Sequence, residues 1–367
     1  MAIRYKLNNL IIRITLLLTI IASLALVSSE TARYISPQVF WPSAFIGLAY
    51  VPLFLLNLLL LIFHSLRRKI TFLIPLIAIL LGWNVMTDTF GLRSASAIES
   101  KDPETIRLLT WNIHYFQDIY LRPLAESQQE MLATINGTEA DVICIQEFYT
   151  GQDNDATKGM NKIKAFLKKR YAFFQPMEGE TRGMAIFSKY PILRTGMIAF
   201  SIEPSGNQCI FTDILKDGKT LRVYAVHLES IKLQSQQLSY IDSFVKGKER
   251  NIRPSKKIAG QLKRAFLERS SQVKLVKEHA STCPYPYIIC GDFNDPPSSY
   301  AFHSMARGLK NTFAEKGHGI FPVTYYKGFL KYQIDHILVS PEFEVLNHQI
   351  IKKKLSDHYP VLADVKI

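Results

Sequence analysis

Cysteine is scarce in this chain. Only four occur in 367 residues, Cys144, Cys209, Cys283 and Cys290, and no two are spaced as Cys-x-x-Cys. That argues against a zinc site, and nothing in the spacing demands a bridge, so disulfides are left unassigned. Cys144 and Cys290 read instead as small buried hydrophobes inside strands. Internal repeats and low-complexity tracts are also missing, which leaves no case for a repeat array. Negative charge is in deficit: 31 Asp and Glu face 44 Lys and Arg, for a net charge of +13. Part of the excess lies in Ile231–Arg264, where nine basic residues, Lys246, Lys248, Arg250, Lys256, Lys257 and Arg264 among them, face only Asp242 and Glu249. A basic face of this kind attracts polyanions, either nucleic acid or anionic lipid headgroups. The plain alternative is a solvated amphipathic helix pair.

Long apolar runs are present, and all of them come early. Leu10–Val27, Ala44–Phe63 and Ile70–Met86 are each about long enough to span a hydrocarbon core of ~30 Å, and are read as three transmembrane helices. Arg4 and Lys6 precede the first run as in a signal peptide, but no clear small-residue cleavage site follows and Arg13 extends the basic flank, which favours a retained anchor. Arg67, Arg68 and Lys69 fill the tight turn between the second and third runs. Keeping both basic groups cytoplasmic makes the protein a multi-pass cytoplasmic (inner) membrane protein with everything after about residue 90 on the extracytoplasmic side. The composition changes near residue 95, so residues 1–95 form the anchor and 96–367 a soluble α/β domain.

In that domain Ile106–Thr110, Val142–Gln146, Met184–Ser188, Leu221–Val226, Tyr287–Cys290 and Ile334–Val339 read as strands, apolar on both faces and therefore buried. Pro123–Ile135, Met160–Lys169 and Ser255–Ala280 read as helices, and Asp153-Asn154-Asp155 as a loop. The alternation by itself does not separate a doubly wound sheet from a two-sheet sandwich.

Short polar clusters close the apolar runs, the placement expected where reactive groups gather at one edge of a sheet. Asn112 and Glu147 each follow a strand and bring hard oxygen ligands to a shared cleft, Glu147 being the first choice to hold Mg²⁺. Asp292 and Asn294 are two apart in Gly291-Asp292-Phe293-Asn294-Asp295-Pro296, so in an extended segment their side chains share a face: an acceptor for water beside a donor for a phosphoryl oxygen. A calcium loop needs an oxygen ligand where this chain has Pro296. His227 and His358 are the groups for handling protons and binding phosphate, with Asp335 as the orienting carboxylate for His358. His303, His318 and His348 have no such context.

The ordered set Thr110-Trp111-Asn112, Ile145-Gln146-Glu147, Arg182 to Ile192, His227-Leu228-Glu229-Ser230, Gly291-Asp292-Phe293-Asn294, Ile334-Asp335-His336-Ile337 and Ser356-Asp357-His358-Tyr359-Pro360-Val361 resembles the endonuclease/exonuclease/phosphatase superfamily from about Ile106 to Ile367. The resemblance implies a four-layered αββα sandwich and Mg²⁺-dependent phosphoester hydrolysis, with Mn²⁺ as the alternative ion. It implies metal binding at Asn112 and Glu147 with Asp357 near the metal, a water-activating role for Asp292, phosphate contacts from Asn294, His227 and His358, and Asp335 orienting His358. Arg182 is either a further phosphate contact or a structural loop residue. Many abasic-site enzymes of the superfamily carry an acidic residue two positions after the asparagine, where this chain has His114, which weakens the case for a second metal ligand there and for DNA repair.

An anchored phosphodiesterase or phosphatase implies a substrate in or near the bilayer, such as a lipid-linked or headgroup phosphate, with glycosylphosphatidylinositol-type remodelling an analogy only. The enzyme alternative is an extracytoplasmic nuclease, and the non-enzyme alternative an inactive receptor for phosphoinositol or nucleic acid. The expected partners are the bilayer and a phosphate-bearing substrate, with no obligate protein partner.

Overall fold

Where the chain is apolar on both faces it forms the inner strands of two stacked sheets. The computed structural model describes residues 2–92, 103–151, 156–178, 181–201, 206–248, 253–327 and 331–367. The expected boundary at residue 95, the Asp153-Asn154-Asp155 loop and Arg250 of the basic stretch lie outside them. The sandwich strands are β1 (Ile106–Asn112), β2 (Val142–Tyr149), β3 (Tyr171–Glu178), β4 (Arg182–Ser188), β5 (Ile192–Ala199), β6 (Gln208–Lys216), β7 (Lys219–His227), β8 (Tyr287–Asp292), β9 (Lys310–Asn311), β10 (Asp335–Val339), β11 (Glu344–Ile350) and β12 (Val361–Lys366). One sheet runs β11-β12-β1-β2-β4-β3 and the other β9-β10-β8-β7-β6-β5. Within these two sheets, among the described residues, the pairs β1/β2 and β7/β8 are parallel and the others antiparallel. Each parallel pair therefore sits at the middle of its sheet.

Side-chain alternation then builds the layers. Leu108, Val142, Cys144 and Ile186 of the first sheet meet Ile210, Val223, Ala225 and Cys290 of the second in one core. Their neighbours Leu109, Trp111, Ile143 and Ile145 face outward, under Met131, Leu132 and Ile135 of α7 (Leu124–Gly137) and Ile163 of α8 (Ala156–Phe166). On the far side Tyr224, Val226 and Ile289 lie under Val273, Val276 and Ala280 of α10 (Arg253–Ser281) and Phe302 of α11 (Tyr300–Ala306). The result is the expected four-layered sandwich. All six expected strands are present, most of them a few residues longer than their apolar runs. The four cysteines are free thiols.

The N-terminal region departs from three straight spans. Among the described residues one unbroken helical segment, Ile12–Tyr34, made of most of α1 (Ala2–Thr31) and the turn after it, is long and apolar enough to cross a membrane. The second run is bent by 55° between α3 (Pro42–Leu48) and α4 (Tyr50–Leu66). The third is bent by 66° between Ile70–Leu81, which contains α5 (Leu73–Leu81), and α6 (Trp83–Thr89). Proline explains the first break: Pro52 has no N–H to offer the Leu48 carbonyl one turn earlier, and the chain kinks at Ala49. At the second, Gly82 packs so closely on α1 that a Cβ there would lie 2.0 Å from Glu30 Oε1. Polar contacts tie the bundle together, Ser23 Oγ donating to Asn57 Oδ1 at 2.7 Å and Thr19 Oγ1 lying 2.9 Å from His64 Nε2.

This bundle is docked on the sandwich. Gln38, in the short helix α2 (Pro37–Phe40), donates to the Leu267 carbonyl of α10 at 2.8 Å, Phe45 meets Phe266 edge-on at 5.2 Å, and Ser298 Oγ donates to the Gly47 carbonyl at 2.9 Å. Arg33 pairs with Asp88 at 3.0 Å, and Gly91–Leu92 form a two-residue ladder with His318–Gly319.

Candidate active site

The two parallel pairs end at the same edge, and their last residues make the floor of a cleft. Asn112 closes β1, His227 closes β7 and Asp292 closes β8; in register, Asp292 lies between His227 on one side and Asp335, the first residue of β10, on the other. Gly291 makes that approach feasible. Its φ is +141°, and a Cβ there would sit 2.0 Å from the Val226 carbonyl oxygen.

Glu147 does not simply follow its strand. It lies inside β2, at a bulge in the β2/β4 ladder between Ile145 and Phe148, with φ +47°. A bulge re-aims a side chain, and here it delivers the carboxylate to the cleft from a residue type that rarely adopts this conformation. The loop ahead of β12 is fastened to the end of β1: Ser356 Oγ donates to the Asn112 carbonyl at 2.7 Å, and Trp111 Nε1 to the His358 carbonyl at 2.9 Å.

The side chains converge. Asn112 Nδ2 donates to Glu147 Oε1 at 3.2 Å and to Asp292 Oδ2 at 3.1 Å. His227 Nε2 stands 3.7 Å from Glu147 Oε1 and 3.8 Å from Asp292 Oδ2, and His358 Nε2 stands 3.7 Å from the same Asp292 oxygen. His358 Nδ1 is 2.8 Å from Asp335 Oδ2. Asp357 lines the cleft, 3.4 Å from Lys327 Nζ. Asn294 also lines it, but not through an extended segment: its φ is +52°, its N–H donates to Asp292 Oδ1 at 2.8 Å, and its amide donates to the Leu228 carbonyl at 2.9 Å. The cavity measures about 380 Å³.

Burial and charge set the protonation states. Burial alone would lower the His358 pKa, but the carboxylates of Asp335, Asp292 and Asp357 outweigh it and push it up to about 10. At neutral pH the ring is an imidazolium, Nδ1–H spent on Asp335 and Nε2–H left for a ligand oxygen. Burial raises Asp292, helped by Asp335 and opposed by the two histidines. Burial also opposes the ionised form of Asp357, yet His358, His114 and Lys327 hold its carboxyl below the usual range.

Two observations bear on a metal ion. Both ring nitrogens of His227 and Asp335 Oδ1 are buried without a hydrogen-bond partner, so the floor has polar capacity to spare. Asp292, Asp335 and His358 offer ligand atoms within 4.8 Å of one another, but a protonated imidazole has no lone pair to give. Glu147, Asn112, Asp357 and Asp292 line the same cavity and carry the oxygen donors that a hard divalent cation prefers.

Arg182 is not at this cleft; its guanidinium lies 4.9 Å over the Tyr115 ring. Tyr325 and Lys327 are lining residues that strand patterning missed. The Tyr325 ring lies 5.0 Å from that of His358, and burial with Asp357, Asp292 and Glu147 nearby keeps its hydroxyl protonated. Both sit in Thr324-Tyr325-Tyr326-Lys327, which makes only isolated bridges and carries no apolar run to signal it. Asp295 is structural. Burial pushes its pKa up to about 6, and Arg269 holds it at 3.0 Å, both groups almost fully enclosed.

The profile of the Endonuclease/Exonuclease/phosphatase family matches residues 109–358. A second, described as a domain of unknown function, matches residues 11–89. No curated protein matches the chain. Among solved structures, TDP2 of D. rerio humanized by 14 mutations aligns with TM-score 0.52 at 14% identity, over 72% of this chain and 100% of that one. The human nocturnin catalytic domain with bound sulfate gives 0.51 at 16%, over 72% and 93%. The mannosyl-6-phosphatase of Bacteroides thetaiotaomicron gives 0.51 at 15%, over 71% and 100%. At these identities the likeness is one of fold.

Proposed function

The chain belongs to the endonuclease/exonuclease/phosphatase family, whose members are generally hydrolytic phosphoesterases that typically use a divalent metal, and from that membership we propose a metal-dependent phosphoester hydrolase held at a membrane surface by its N-terminal helices. The observation that carries it is the buried Asp335–His358 pair pointed, with His227, at the carboxylate of Asp292 beside the Asn112–Glu147 contact.

In this reading Glu147, Asn112 and Asp357 hold Mg²⁺ or Mn²⁺, which when bound supplies Lewis-acid stabilisation of phosphoryl charge. The imidazolium of His358 donates from Nε2 to a phosphoryl oxygen, and His227 binds the same group from the other side. Charge that builds on the phosphoryl oxygens in the transition state then meets donors already in place. Asp292 accepts a hydrogen bond from the attacking water and takes up its proton. Asn294, with one amide proton on the Leu228 carbonyl, keeps its second for the phosphate.

Exposed leucines on the helical bundle, Leu17, Leu24 and Leu59 among them, support an anchor of up to three spans, two of them bent. The basic turn at Arg67–Lys69 is read as cytoplasmic, and docking of Pro37–Leu48 on α10 is consistent with the catalytic domain lying on the opposite, extracytoplasmic side of an inner membrane. A domain anchored this way is suited to a phosphate ester at the bilayer, lipid remodelling included.

The test is hydrolysis of a bis-aryl phosphodiester by the full chain in detergent. Turnover should require Mg²⁺ or Mn²⁺, stop with chelator, and be abolished in Glu147→Ala and His358→Ala. Full activity in either variant would overturn the site assignment, and much faster cleavage of plasmid DNA than of any phospholipid would replace the lipid reading with a nuclease.

A further inference from the structure

The cleft has two unlike walls. Its floor is the polar set above; the other side is apolar, made by Leu238 and Ile241 of α9 (Ser235–Val245), Ile258, Leu262 and Phe266 of α10, and Leu48 of α3. These residues and the catalytic side chains border one continuous cavity. A phosphate bound at His227 and His358 would therefore have its ester group against hydrocarbon.

The cations at this cavity do not offer a second anion track. Lys232 pairs with Glu229 at 3.3 Å, Lys327 with Asp357 at 3.4 Å and Arg269 with Asp295 at 3.0 Å. Lys246, paired with Asp242 at 2.6 Å, and the further lysines Lys256 and Lys257 of the basic stretch do not line the cavity.

Leu48 ties the wall to the anchor. It ends α3, the first half of a bent apolar pair, so one element borders both the cleft and the bundle. Just before it, Val39, Phe40 and Trp41 form an exposed apolar ledge, Val39 at 84% exposure, and Lys263 of α10 sits 4.6 Å over the Trp41 ring. Aromatic residues paired with lysine are typical of the boundary between headgroups and acyl chains.

We infer that the substrate is an amphiphilic phosphate ester whose single apolar chain lies along the α9/α10 wall and under Leu48, so that the anchor is part of the binding site and not only a tether. This rests on the phosphoester reading of the floor and adds a substrate class to it. A nucleobase laid on this wall would leave its hydrogen-bonding edges without polar partners there, whereas an alkyl chain has none to satisfy.

Binding and turnover separate the two claims. Affinity of the full chain in detergent, with Mg²⁺, for methyl-, butyl- and hexylphosphonate tests the wall without catalysis. Each added methylene should tighten binding about two- to fourfold. Leu238→Ser and, independently, Leu48→Ser on the opposite element should flatten the series, with melting curves showing that each variant folds. Equal affinity for all three phosphonates in the unaltered protein, or a series unchanged in both variants, would overturn the inference. Hydrolysis of the bis-aryl phosphodiester, run in parallel, reports on the phosphoesterase reading alone: its loss alongside an intact chain-length series would sink that reading and leave the wall standing.

Discussion

Replacing Asp335 by asparagine removes a charge and keeps the shape. In the folded protein His358 is held at about 10 against an ordinary value of 6.5, which at ~1.4 kcal/mol for each tenfold amounts to on the order of 5 kcal/mol favouring the imidazolium. Burial opposes that preference, so the carboxylates of Asp335, Asp292 and Asp357 together supply more than it, and Asp335 is the one in direct hydrogen-bond contact at 2.8 Å. Its carboxylate does most among these groups to raise the value, so Asp335→Asn should lower the His358 pKa. The sign follows from linkage: a base whose folded pKa is raised contributes stability that is complete below 6.5 and lost as pH rises through about 10. The variant should lose that contribution at lower pH than the parent does. Turnover of the bis-aryl ester at pH 7 should drop about 10²-fold, as when one preorganised donor is compromised. The basic limb of the pH–rate profile should move towards neutrality. The assay is kcat/KM from pH 5 to 10 at saturating Mg²⁺, with melting temperatures of the chelated protein at the same values. Activity within threefold of the parent with an unmoved basic limb would refute the assignment of His358 as an imidazolium donor oriented by Asp335.

Three other substitutions probe the same geometry. Arg269→Ala should strand the Asp295 carboxylate in the interior and cost about 3–5 kcal/mol, seen as a fall in Tm of roughly 10 °C; a change below 2 °C would show that the pair is dispensable. Gly291→Ala would drive a Cβ against the Val226 carbonyl at a φ of +141° and separate β7 from β8, so activity should fall more than tenfold even where circular dichroism shows a folded protein. Glu147→Gln should weaken the apparent affinity for Mg²⁺, measured by activation curves, by about 10- to 100-fold, while raising Mg²⁺ recovers part of the rate; an unchanged activation curve would move the metal elsewhere.

The strands legible in the sequence have both faces buried and few polar interruptions; β6 and β12 are as buried but carry Thr212, Asp213 and Lys216, and Asp364, within their runs and were not distinguished. β1, β2, β7 and β8 alternate between the inter-sheet core and a helix layer, so most positions are apolar, Arg107 and Arg222 being exceptions held by Asp364 and Asp213, and the run stands out. β5 was missed for the opposite reason: Ile192–Ala199 is an edge strand with Leu193, Arg194 and Thr195 in or near solvent, and its pattern resembles a loop. β9 has two residues and exists only because β10 pairs with it. Chemistry was legible where a strand ended in a polar residue, as at Asn112, His227 and Asp292. It was less so where backbone geometry does the aiming: the bulge at Glu147 and the left-handed turn at Asn294 depend on partners distant in sequence. Tyr325 and Lys327 reach the site from a segment without periodicity.

The bends in the apolar N-terminal runs follow a similar logic. Hydropathy registers Ala44–Phe63 and Ile70–Met86 as continuous because Pro52 and Gly82 interrupt neither composition nor length. The breaks come from a missing donor at one and a close contact with Glu30 at the other. Their consequence is positional. A straight helix through Pro42–Leu66 would carry its first turns away from the sandwich, whereas the 55° bend lays α3 across it, with Phe45 on Phe266, the Gly47 carbonyl on Ser298 and Leu48 at the cleft. Ser298 lies three residues beyond Asp295, whose segment carries Asp292 and Asn294. The same short stretch of chain is therefore held by Arg269 from α10 and by the N-terminal helices through α3. Removing the N-terminal helices would release one of those two constraints and take Leu48 from the cavity together, so these helices and the candidate site form a single unit of structure.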